Sequence, residues 1–328
     1  MDTAASGKRQ QAWDSYWKAG ELHSCVGSYG GNYAGAVAAF WESRFAALHA
    51  GDRVLDLATG NGALPLLLLE GSGADPAIHV DAVDIAAISP SWHDPVRHPG
   101  VRFHPGIAME SLPFADASFD LVVSQYGLEY AAWPGALVEA VRVCKPSGAA
   151  AFVMHHADSV LVRVGRLELA HHHTLLAEDG LLAAARQVLP WIVRARAGAA
   201  LAGDEQAAAS RQRYNEAMTA MASAMDASPV PDLLVQARET IHPMLSNAKG
   251  DCGEALASLD QYRVALEAAA LRTGEMIEQA LDGARLEAMR ATVRELRADW
   301  IFQAQPIAQE QGILGWGVVL GPERQSPD

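Results

Sequence analysis

The stretch VLDLATGNGAL, residues 54–64, limits the possible folds of this chain more than any other. An apolar run that can pleat into a strand carries Asp56 near its end. A short loop with Ala58, Gly60, Asn61 and Gly62 follows, and then a leucine-rich run to Leu69. Glycine accepts left-handed backbone angles and lets a ligand approach the main chain closely. The helix that starts behind such a loop offers unpaired N–H groups. Strand, glycine loop and helix in that order are the opening of an α/β unit that binds a ligand at its first turn. No lysine followed by serine or threonine closes the loop, so it is not a phosphate-binding P-loop. Pro65 stands where a dinucleotide fingerprint needs a third small residue. Asp56 adds negative charge at the turn, which favours a cationic or zwitterionic ligand over a pyrophosphate.

Four more short apolar runs follow at intervals that leave room for helices: HVDAVDI (79–85), VRFHPGI (101–107), FDLVVSQYG (119–127) and AAAFVMHH (149–156). Runs apolar on both faces indicate a parallel sheet covered on both sides. Asp84 closes the second run, where a carboxylate can accept hydrogen bonds from both hydroxyls of a ribose. After residue 156 the texture turns to alanine, leucine, glutamate and arginine at helical spacing, and strand texture returns in DWIFQAQP (299–306) and GWGVVLGPE (315–323). The expected class is therefore α/β: a doubly wound, seven-stranded, Rossmann-like sheet with a large helical insertion between strands five and six. The expected segments are an aromatic-rich N-terminal helical cap (1–50), an α/β core (51–156), the helical insertion (157–298) and a terminal hairpin completing the sheet (299–328).

Composition narrows the partners. The net charge of −14 repels a phosphate backbone, so nucleic acid is not expected. Cys25, Cys144 and Cys252 lie too far apart for a metal pair or a disulfide framework. With no apolar leader at the N-terminus, and apolar runs too short to span a bilayer, no membrane partner is expected and the chain reads as cytoplasmic. His171, His172 and His173 are consecutive; on a helix they diverge by about 100° each. No metal site is expected there, only a solvated face. Met218, Met221 and Met225 share one helical face and read as core.

Four stretches in register, DLATGNG (56–62), Asp84, SLPFADASFDLVVS (111–124) and RVCKPSGAAAFV (142–153), resemble the class I S-adenosylmethionine-dependent methyltransferases. The resemblance covers roughly 105 residues and does not reach the helical insertion. It implies S-adenosyl-L-methionine as cofactor and S-adenosyl-L-homocysteine as product. Gly60 and Gly62, with Ala58 and Asn61 beside them, would border the methionine part, and Asp56 would act near its amino group. Asp84 would hold the ribose and Ile85 would lie against the adenine, edged by Ala108, Met109 and Glu110. Ser124 and Gln125 would sit beside the cofactor at the end of strand four. The family's Gly-Asp-Ala before Leu-Pro-Phe is missing; Gly106-Ile107-Ala108-Met109-Glu110 stands there, and Glu110 or a backbone group would have to serve the adenine amino group.

Methyl transfer needs alignment and exclusion of water, and a base only where the nucleophile starts protonated. The candidates for that base are Glu129, His155 and His156. Successive strand residues face opposite ways, so at most one of the two histidines should enter the cleft. Tyr16, Trp17, Tyr29, Tyr33 and Tyr126 are the candidate substrate walls. The expected reaction is methylation of an O or N atom of a small, aromatic metabolite such as a natural product. The alternatives are a protein- or RNA-directed methyltransferase and a non-catalytic module that binds the cofactor or its product. The N-terminal helices and the helical insertion are expected to cap the cleft at the carboxyl ends of the strands as a lid, and the insertion could alternatively pair two subunits as a homodimer.

Overall fold

A computed structural model describes residues 3–25, 31–71 and 77–323. Two helices, α1 (Thr3–Lys18) and α2 (Gly35–Phe45), precede β1 (Arg53–Leu57), α3 (Ala63–Glu70), β2 (His79–Asp84), β3 (Val101–Pro105), β4 (Phe119–Gln125), α4 (Trp133–Val143) and β5 (Cys144–Met154). After a helical region come α10 (Gly283–Leu296), β6 (Trp300–Gln309) and β7 (Gly312–Pro322). The seven strands form one sheet in the order β3-β2-β1-β4-β5-β7-β6. β1 to β5 run parallel, and β7 lies antiparallel to both β5 and β6. The expected doubly wound sheet with a closing hairpin is the fold observed.

Alternation along the strands builds one apolar layer on each side of the sheet. Leu55, Leu57, Val122, Phe152 and Met154 face one core, which α4 seals with Ala136, Leu137 and Ala140. Val54, Leu121, Val123, Ala151 and Val153 face the other, where α2 presents Val37, Phe40 and Trp41 at helical spacing. Gly317 of β7 must be glycine for α2 to come this close, since a Cβ there would stand 2.8 Å from the Phe40 ring. β5 begins earlier than its apolar run. Cys144 pairs with Phe119, and the register then slips so that Ala149 meets Leu121, with the polar Lys145–Gly148 segment taken up by the irregularity.

Strand order reverses between β1 and β4: from β1 the sheet grows through β2 to β3 on one side and through β4 to β5 on the other. The carboxyl ends of β1 and β4 therefore flank a crevice at the switch point, where open α/β sheets take their ligands.

The chain divides into two compact units, residues 1–162 with 275–328, and residues 163–274. The second contains α6 (Leu181–Arg196), α7 (Glu205–Ala227), α8 (Asp232–Asn247) and most of α5 (Val160–Leu176) and α9 (Gly253–Gln279). Its own core includes Leu175, Leu189, Leu234, Ile241 and Leu259. Met221 is buried in it, with Met218 and Met225 packed alongside. This unit is narrower than the 157–298 segment expected, because Leu286, Met289 and Val293 of α10 belong to the core of the first unit. The histidine triplet is not uniformly solvated either. His172 is buried, three residues before the buried Leu175 on the same inward stripe, and burial lowers its pKa to about 4. No described helix is long and apolar enough to cross a membrane.

Candidate active site

The loop after β1 turns through three left-handed residues, Ala58 (φ 54°), Gly60 (φ 54°) and Gly62 (φ 78°). A Cβ on Gly62 would stand 2.6 Å from the Phe103 ring, and one on Gly60 would stand 2.5 Å from the Trp17 indole. Ala58 holds its left-handed angle despite a Cβ, and that Cβ occupies the space above Gly127. Asp84 locks the loop in place: its Oδ2 accepts the Gly60 N–H and its Oδ1 the Ala86 N–H, both at 2.8 Å. The Ile85 N–H bonds this carboxylate as well, so three of its four lone-pair sites are taken and one remains for a ligand. Burial raises the Asp84 pKa to about 6.

Two cavities open at this crevice. The larger, about 180 Å³, is walled by Asp84, Ile85, Ala108, Met109 and Glu110 on the sheet side, by Arg9, Gln10, Trp13 and Trp17 of α1, and by Tyr126, Tyr130 and Ala58. The smaller, about 30 Å³, is walled by Asp56, Thr59, Ala58, Gln125, Tyr33, His23, Trp17 and Tyr126. In the smaller one Gln125 Nε2 is buried with no hydrogen-bond partner among the described residues, and Asp56 Oδ2 and Thr59 Oγ1 are buried with none but each other. The Gln125 amide is oriented by Trp41, whose Nε1 donates to its Oε1 at 2.5 Å. Burial pushes the Asp56 carboxyl up to about 8. Buried polar atoms are nearly always paired, so an unpaired amide donor beside a carboxyl and a hydroxyl that have only each other marks a place for a zwitterion.

Of the residues expected at the cofactor, Asp84, Ile85, Ala58, Ala108, Met109 and Glu110 line the larger cavity, and Asp56, Gln125 and again Ala58 line the smaller. Glu110 also accepts the Ala132 N–H at the start of α4. Gly60, Gly62, Asn61 and Ser124 wall neither cavity. Asn61 works as a tether, its Nδ2 donating to the Trp17 and Glu21 carbonyls at 2.9 and 2.7 Å. Ser124 is fully buried, and its Oγ spends its one donor on the Leu57 carbonyl, a link between β4 and β1.

Among the expected substrate walls, Trp17, Tyr33 and Tyr126 do line a cavity. Tyr16 does not; it packs edge-on against Trp17 and its hydroxyl donates to the His23 carbonyl. Tyr29 lies outside the described residues.

The three candidate bases are placed behind the cavity walls. His155 is buried under Tyr126, the rings stacked 4.3 Å apart, and burial lowers its pKa to about 3. Such an imidazole is neutral but far too weak a base for neutral pH. His156 stacks on Trp316, and its Nδ1 accepts the Asp158 N–H. Glu129 is buried; its Oε1 accepts the His155 backbone N–H at 2.7 Å, and burial raises its pKa to about 7. None of the three lines either cavity. Arg9, Trp13, Tyr130 and Thr59 were missed. Trp13 lies one helical turn before Trp17 and stacks on it at 5.7 Å, a spacing visible in the sequence.

Residues 55–152 match a methyltransferase domain family, described as "Methyltransferase domain". The ubiquinone/menaquinone biosynthesis C-methyltransferase UbiE of Xylella fastidiosa is 33% identical over 148 residues, 39% of this chain and 58% of that protein. The enzyme of the same name from Xanthomonas campestris pv. campestris is 35% identical over 117 residues, 34% of this chain and 46% of that protein. The chain thus spans about half the length of these curated relatives. Among solved structures, the 1,6-didemethyltoxoflavin-N1-methyltransferase of Burkholderia thailandensis aligns with 19% identity over 48% of this chain and 66% of its own, at a TM-score of 0.38.

The methyltransferase domain's cofactor, S-adenosylmethionine, fits the residues present. Its ammonium would sit against the Asp56 carboxyl and Thr59 hydroxyl, its carboxylate against the unpaired Gln125 amide, and its ribose against the Asp84 carboxylate.

Proposed function

We propose that this chain transfers a methyl group from S-adenosylmethionine to a small aromatic acceptor. The observation that carries this reading is the paired cavity, with the unpaired Gln125 amide and the buried Asp56–Thr59 pair at one end and Asp84 at the other. The bound cofactor supplies an electrophilic methyl group on a positively charged sulfur. The protein's part is to fix both reactants and keep water out. Asp84 and the loop it locks hold the nucleoside, while Ile85 and Met109 give the adenine apolar surface. Trp13, Trp17, Tyr126 and Tyr130 offer an acceptor flat aromatic walls.

No histidine lines the larger cavity among the described residues, and His155 and His156 are engaged elsewhere. This favours an acceptor that brings its own lone pair or electron-rich ring. Oxygen or nitrogen is the first choice of methylated atom. Carbon is the second reading, favoured by relatives that bear the name C-methyltransferase. The aromatic and small-molecule character of the walls speaks against a protein or RNA acceptor, as does the charge of −14 for RNA. We also propose that the unit 163–274 pairs two copies of the chain.

The test is incubation with methyl-labelled S-adenosylmethionine and fractionated metabolites, followed by mass spectrometry of labelled products. A labelled aromatic product supports the reading, and its fragmentation assigns the atom. Tight cofactor binding with no labelled product from any fraction would replace it with a non-catalytic binding module.

A further inference from the structure

The two cavities share three wall residues, Trp17, Ala58 and Tyr126. Resting on the function proposed above, the nucleoside takes the larger cavity and the amino-acid end the smaller. The sulfur that joins them then lies at this shared waist. The waist carries no charged side chain: two of its members are aromatic, and the third is a methyl group on a left-handed backbone.

Both rings are fixed from behind. The Trp17 indole rests on the loop so closely that a Cβ at Gly60 would stand 2.5 Å from it, and Asn61 Nδ2 holds the Trp17 carbonyl at 2.9 Å. Tyr126 is stacked on His155 with the planes only 10° apart, and its hydroxyl donates to the Leu314 carbonyl at 3.3 Å. The imidazole behind Tyr126 is neutral, so it does not draw electron density from the phenol ring as an imidazolium would.

We propose that Trp17 and Tyr126 form an aromatic waist that grips the positively charged sulfur of S-adenosylmethionine and holds the neutral thioether of the product more weakly. Aromatic faces attract cations, most strongly where water is excluded, and tryptophan does so best. In the transfer, the bond from methyl carbon to sulfur breaks as the bond from methyl carbon to the acceptor forms. The bonding pair stays on sulfur, and the positive charge leaves the waist with the methyl group. The attraction is therefore lost on turnover, which favours exchange of product for fresh cofactor.

Calorimetric titration of S-adenosylmethionine and S-adenosylhomocysteine into the wild type, Trp17→Phe and Trp17→Leu tests this. Asp56, Asp84 and Gln125 are the same in all three, so a change in the ratio of the two affinities reads the ring alone. Trp17→Leu is expected to lower the preference for the sulfonium over the thioether about 2- to 30-fold, with Trp17→Phe in between. Equal losses for both ligands, or an unchanged ratio, would make Trp17 a packing residue and overturn the waist. If neither ligand binds the wild type, the methyltransferase reading itself falls and takes the waist with it.

Discussion

Ala58 and Asp56 carry unlike kinds of strain at one turn. Ala58 sits at φ 54°, where a Cβ costs about 1–2 kcal/mol. Replacing it by glycine relieves that cost but adds about 0.5–1 kcal/mol of freedom to the unfolded chain. Ala58→Gly is thus expected to stabilise the protein by up to about 1 kcal/mol, seen as a higher denaturant midpoint with an unchanged slope. Asp56 carries electrostatic strain. Its carboxyl is raised by burial to about 8, so it holds a proton at neutral pH until a cation displaces it. S-adenosylmethionine affinity should then rise with pH up to about 8 and level off, with a proton released that calorimetry in buffers of different ionisation heat will register. Asp56→Asn should remove both effects. Without ligand the sign is opposite. The folded pKa lies above the unfolded value near 3.8, so this group's share of stability is complete below about pH 4 and is lost as pH rises to about 8. Thermal melts of the wild type and Asp56→Asn across that window check it.

At the scale of elements, α1 decides whether there is a closed site at all. Four side chains strap it to the sheet unit: Gln10 reaches the Ile85 carbonyl, Asp14 accepts the Ala87 N–H, Arg9 reaches the Tyr130 carbonyl and Glu275, and Asn61 holds the helix end. Hydrogen bonds of this kind contribute roughly 0.5–1.5 kcal/mol each. Asn61→Ala removes two, and is expected to weaken the strap by about 1–3 kcal/mol. Faster amide exchange over residues 7–18 and a faster cofactor off-rate, with the melting of the sheet unit little changed, would show it. The sequence made α1 legible as an aromatic cap helix with Trp17 as a wall, but not Trp13 or Arg9. Trp13 and Arg9 reach the cavity only because those straps dock the helix, and their partners lie dozens to hundreds of residues away.

At the scale of the molecule, two hydrophobic cores serve one sheet and a third serves residues 163–274 alone. That segment, expressed by itself, is expected to stay helical by circular dichroism and to melt cooperatively. If it pairs subunits as proposed, sedimentation will give it twice its monomer mass. The sequence by itself determined the seven strands, the glycine turn and the two acids that end β1 and β2, because each depends on periodicity and backbone chemistry within a few residues. The tertiary structure alone decided which side chains face the crevice. His155 and His156 were expected to end β5, but the strand stops at Met154; the two follow it, covered by Tyr126 and Trp316, and Ser124 spends its hydroxyl on β1. Whether a polar group meets a ligand or a neighbouring strand depends on packing between elements distant in sequence, and no local pattern encodes that.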